Sequence, residues 1–60
     1  MTGCWITLNF KLWWDGEDWV EDLHKAKNYY TAEVGKPARK KLIAEQKLDP
    51  NEVFVYTKKS

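Results

Sequence analysis

Trp13-Trp14-Asp15-Gly16-Glu17-Asp18-Trp19 is the stretch on which the fold of this chain turns. Upstream of it, residues 5–14 alternate. Ile6, Leu8, Phe10, Leu12 and Trp14 lie on one face and Trp5, Thr7, Asn9, Lys11 and Trp13 on the other, which is the period of a half-buried strand. At Asp15-Gly16 the strand ends and two readings compete. Asp15 with Asp18 three residues on resembles a capping box, and Glu17 and Asp18 suit the positive end of a helix dipole, so a helix is expected to begin here. Asp-Gly also suits a type I′ hairpin turn, the competing reading.

Working outward, Trp19, Leu23, Ala26, Tyr30 and Val34 fall on one stripe at about 100° per residue, with Glu17, Glu21, His24 and Asn28 opposite. That spacing predicts a first helix. Gly35 suits the left-handed position after a helix, Lys36 is disfavoured in helical geometry by the proline after it, and Pro37 suits the first turn of a second helix. The second helix, Pro37 to about Leu48, offers Ala38, Leu42 and Ile43 to the core. Asp49-Pro50-Asn51 reads as a turn, Val53 to Thr57 as a short strand, and Lys58-Lys59-Ser60 as a frayed basic end. The expectation is one small α+β domain over residues 1–60, strand-helix-helix-strand, with a two-stranded sheet packed on two helices. A strand of ten residues beside one of five would leave half of the first without a partner, as an open edge.

Composition bounds the chemistry. Sixty residues bury only about 60% of the surface that the unfolded chain exposes, so most of the nine aromatic rings are expected to serve the core. Cys4 is the single cysteine, which excludes an intrachain disulfide and a Cys-His zinc site. No apolar run approaches the ~18 residues of a membrane span, and Met1 to Phe10 lacks the charged start of a signal peptide. A soluble, intracellular protein without a membrane partner is expected. Asp15, Glu17, Asp18, Glu21 and Asp22 lack the alternating spacing of a calcium loop, and Glu21-x-x-His24 occurs once where a di-iron site needs two copies. Gly3, Gly16 and Gly35 stand too far apart for a phosphate loop, and His24 faces away from any nucleophile on the expected helix. Neither an enzyme, a metal nor a cofactor is expected.

Two binding functions remain. The first is a non-catalytic protein-binding module, of the inhibitor or assembly-subunit kind. It would dock onto another protein or a second copy of itself through the open edge and the face carrying Trp5, Thr7, Asn9, Lys11 and Trp13. Trp13 and Trp14 are neighbours, so a regular strand sends Trp14 inward and Trp13 outward. The second arises from charge. Through His24 one base stands against five acids, and from Lys25 onward nine bases stand against four acids. Lys36, Arg39, Lys40 and Lys41 crowd the expected start of the second helix, where the dipole is already positive. Either the chain's own acidic cluster or an external anion would answer them. Strand residues Thr7, Asn9 and Lys11, a helix, a glycine and a basic second helix resemble in part, over residues 5–48, a ribbon-helix-helix DNA-binding dimer. That resemblance implies Thr7, Asn9 and Lys11 in the major groove and phosphate touched by the amides near Pro37 to Arg39, beside the anion or nucleic-acid site offered by Lys36, Arg39, Lys40 and Lys41. Trp13 or Tyr29 stacked on single-stranded bases is a variant of the same alternative.

Overall fold

In the computed structural model, which describes residues 2–59, Asp15-Gly16 turns the chain back on itself. Asp15 Oδ1 accepts from the N–H groups of Glu17 at 2.7 Å and Asp18 at 2.6 Å, and the Asp15 N–H donates to the Asp18 carbonyl at 3.0 Å. Gly16, with φ 108°, supplies the conformation that a side chain would resist. Asp15 caps its neighbours as a helix start would, yet the result is a hairpin. Strand β2 (Leu12–Trp14) returns as β3 (Trp19–Val20), with Trp14 opposite Trp19 and Trp13 opposite Val20.

A second turn lies inside what reads as a single long strand. β1 ends at Leu8 (Gly3–Leu8), and Asn9 and Phe10 both take positive φ, 55° and 59°. Lys11 N–H then donates to the Leu8 carbonyl at 3.1 Å, the pattern of a type I′ turn. β1 and β2 pair antiparallel, Thr7 with Trp13 and Leu8 with Leu12. Each pair differs by an even number of residues, so the reversal preserves the alternation, and Ile6, Leu8, Leu12 and Trp14 still share one face. Phe10 alone changes sides.

The expected architecture is thereby corrected to one helix on a four-stranded antiparallel sheet of order β3-β2-β1-β4. β4 (Val53–Lys58) follows the predicted Asp49-Pro50-Asn51 turn and pairs with β1 over six residues, from Gly3 opposite Lys58 to Leu8 opposite Val53. β1 is therefore interior, and the open-edge premise does not hold for it. Ser60, read as part of a frayed end, lies outside the described residues.

The predicted first helix is replaced by β3, a single 3₁₀ turn at Leu23–Lys25 and an extended strap to Thr31. Tyr30 and Val34, two members of its apolar stripe, are 66% and 54% exposed. The strap does not form a helix because its polar groups are engaged by the sheet. Lys27 N–H donates to the Trp14 carbonyl and Tyr29 N–H to the Cys4 carbonyl, while Asn28 Oδ1 accepts from the N–H groups of Cys4 and Tyr30. The two bonds to Cys4 fill the side of β1 that β2 is too short to reach, and the Lys27 bond extends the strap along β2 at Trp14.

The single helix α1 (Ala32–Gln46) runs through both Gly35 and Pro37, where two helices were expected to part. Gly35 is buried because it lies against the sheet: a Cβ there would stand 2.6 Å from Cys4 Sγ. Pro37, exposed, forfeits the bond that its missing N–H would give the Glu33 carbonyl. Seating Gly35, Ala38 and Leu42 on the sheet outweighs that loss. Ile6, Leu42 and Val53 form the buried core. Lys47, in the left-handed region at φ 54°, ends the helix, and Leu48 N–H donates to the Ile43 carbonyl. Among the described residues no helix is long and apolar enough to cross a membrane.

Candidate docking face

The sheet has two unlike faces. Cys4, Ile6 and Leu8 of β1, with Val53, Val55 and Thr57 opposite them on β4, look toward α1. Trp5 and Thr7 look the other way, beside Tyr56 and Phe54 of β4 and Trp13 of β2. Among the described residues α1 does not pack on this second side, and Leu23, His24 and Ala26 reach only its margin at Trp5.

Five aromatic rings join there. Trp5 lies 5.9 Å from Tyr56, Tyr56 lies edge-on to Trp13 at 5.6 Å and to Phe10 at 6.3 Å, and Phe10 stacks on Phe54 at 5.2 Å. Trp13 closes the cluster against Phe10 at 6.2 Å. Such contacts contribute about 0.5–1.5 kcal/mol each beyond burial, enough to order the rings without hiding them. Phe10 remains 55% exposed and Phe54 39%. Phe10 reaches this position only through its left-handed backbone, a conformation that costs a bulky L-residue about 1–2 kcal/mol. Gly3 serves the other end of the cluster, since a Cβ there would run into the six-membered ring of Trp5.

The residues singled out in the sequence are distributed over this frame. Trp5 and Trp13 are half-buried on the open face, and Trp14 is on the helix side. Thr7 is fully buried between Trp13 and Phe54, its hydroxyl donating to the Leu12 carbonyl at 2.7 Å. Asn9 and Lys11 are exposed in the turn, not along a strand. Phe10, Phe54 and Tyr56 belong to the same surface but were missed, because Phe10 shares the parity of the core and the β4 aromatics resemble core residues until the register is known.

Lys36, Arg39, Lys40 and Lys41 lie on α1, across the sheet from Thr7, Asn9 and Lys11, so the two sets do not meet. Nor do they stand at a helix start. α1 begins earlier, with Glu33 in its first turn, and the expected conflict with the dipole does not arise. Arg39 Nε donates to the Val53 carbonyl at 2.7 Å and Nη2 to the Pro50 carbonyl at 2.7 Å, clamping the loop before β4. Lys41 pairs with Glu45 at 3.8 Å on the exposed helix surface. The single helix also departs from the two that the ribbon-helix-helix resemblance requires.

Titratable chemistry is sparse. Cys4 is fully buried and burial pushes its thiol up, away from the reactive thiolate. Among the described residues no group of three or more His, Cys, Asp or Glu side chains could hold a metal ion. His24 lines a groove of about 530 Å³ with Trp5, Leu23 and Lys58, at the margin of the aromatic face. The fold and face define a small α+β domain with a sheet open on one side. Comparison with protein-family models, curated proteins and solved structures found no match.

Proposed function

We propose that this chain is a non-catalytic protein-binding module that docks through the open aromatic face, with Trp5, Trp13, Phe10, Phe54 and Tyr56 as its contact surface. The observation carrying this reading is Phe10, a bulky ring held in left-handed backbone geometry and still more than half exposed. Tryptophan and tyrosine are frequent interface anchors, and the other rings supply the apolar surround that excludes water. A protein partner is favoured over nucleic acid because the basic residues of α1 lie on the far side of the sheet. A soluble, intracellular setting belongs to the same proposal.

The test is capture by the immobilised chain from its native cell lysate, with and without nuclease, beside Trp13→Ala and Phe10→Gly. A protein retained after nuclease and reduced about tenfold by either substitution, with circular dichroism unchanged, is the expected outcome. Capture indifferent to both substitutions overturns the proposal. Capture lost only on nuclease treatment overturns it in favour of single-stranded bases stacking on the same rings.

A further inference from the structure

β4 is one of the two edge strands of the sheet, and two contacts reveal which of its backbone groups are open. Asn9 N–H donates to the Glu52 carbonyl at 2.8 Å, one step beyond the Leu8–Val53 pair. By alternation, Phe54, Tyr56 and Lys58 also turn their backbone groups toward β1, and Val53, Val55 and Thr57 turn theirs outward. Arg39 agrees with this parity, since its Nε reaches the outward carbonyl of Val53, a residue that is fully buried. Val55 and Thr57 have no such cover. Among the described residues nothing bonds their outward N–H and carbonyl groups. The open edge is therefore short, stopped at one end by a guanidinium and flanked at the other by Lys58 and Lys59.

We propose that this edge pairs antiparallel with the same edge of a second copy of the chain, about a two-fold axis at Tyr56. Only outward residues can exchange bonds across the new interface, so Val55 of each copy meets Thr57 of the other. A register centred on Val55 would instead require Val53, which Arg39 already covers. A longer foreign strand meets the same obstruction, whereas reciprocal pairing needs only the two open residues. Within β4 no like charges come directly opposite one another: Tyr56 meets Tyr56 of the second copy, and Lys58 meets Phe54 of the second copy, a cation beside a ring, while Lys59, beyond the strand, falls opposite Val53 and its Arg39 cover. Because Tyr56 already touches Trp5, Trp13 and Phe10, the pairing joins two aromatic faces into one surface. The proposal depends on the backbone groups of the edge and on the Arg39 that limits it, and stands whether or not the aromatic face binds a partner.

The test uses sedimentation equilibrium and amide exchange on the full chain over a concentration series. A reversible dimer is expected by about 1 mM, as suits a small interface, with exchange at Val55 and Thr57 slowing as concentration rises. A synthetic chain with N-methyl Val55 lacks only an outward N–H and is expected to keep its fold and remain a 7.1 kDa monomer. In the proposed register the two Tyr56 Cα atoms stand about 4.5 Å apart, within disulfide range, so Tyr56→Cys is expected to form a covalent dimer on oxidation and Val55→Cys is not. A chain that stays monomeric at 1 mM with concentration-independent exchange, or a dimer that survives N-methylation, overturns the proposal.

Discussion

The two faces of the sheet carry similar numbers of large apolar residues but treat them differently. On the side facing α1, Ile6 and Val53 are completely buried and Leu42 nearly so. On the other side, among the described residues, the fully buried side chain is polar: Thr7, its hydroxyl satisfied by the Leu12 carbonyl, lies beneath rings that remain partly in water. The first face meets a helix brought close by Gly35, and the second meets solvent. A strand pattern thus reports that two faces differ without reporting what covers each.

The largest expected effect tests the covered face. Ile6→Ala is expected to cost about 2–5 kcal/mol, enough to unfold much of so small a domain, while Trp13→Ala on the open face costs about 1–2 kcal/mol through its two ring contacts. Thermal unfolding compares them, and equal losses would abolish the distinction between the faces.

Next comes the close approach of helix and sheet. Gly35→Ala places a Cβ 2.6 Å from Cys4 Sγ and is expected to cost about 1–3 kcal/mol, even though alanine favours helix. Combining it with Cys4→Ala removes the obstructing sulfur, so the double variant should be more stable than the sum of the two single losses. Strict additivity in urea denaturation would remove the contact as the reason for Gly35.

Phe10 sharpens the open side of the comparison. Phe10→Gly and Phe10→Ala lose the same ring contacts, but only glycine relieves the left-handed backbone. The glycine variant is therefore expected to be more stable than the alanine variant by about 1 kcal/mol. Equal stability would mean that the turn does not strain Phe10.

The smallest effect concerns a turn that depends on neither face. The Asp18 and Glu17 backbone N–H groups hold the Asp15 carboxyl below its ordinary value. A depressed folded value stabilises the native state above about pH 4 and is lost as pH falls through the folded value. The melting-temperature difference between wild type and Asp15→Ala should thus shrink on acidification below about pH 4. A difference that is constant from pH 7 to pH 2 would show that the carboxylate charge is not what holds the turn.

The local features were legible in the amino-acid pattern: the alternation of Ile6, Leu8, Leu12 and Trp14 against Trp5 and Trp13, the Asp49-Pro50-Asn51 turn, and the strand after it. Each follows from side-chain period or turn chemistry within a few residues, as does the opposition of Trp13 to Trp14. Tertiary structure decided the rest. The turn at Asn9-Phe10 leaves the alternation intact, and only pairing with β2 and β4 shows that Phe10 crosses to the open face. Residues 19–31 have helical spacing, yet the unfilled backbone of β1 captures Asn28 and Tyr29. Gly35 and Pro37 resemble a break, but packing of Gly35, Ala38 and Leu42 against the sheet holds the helix across them. In each case a local preference of about 1 to 3 kcal/mol competed with burial and hydrogen bonds to residues distant in the chain, and the distant contacts prevailed.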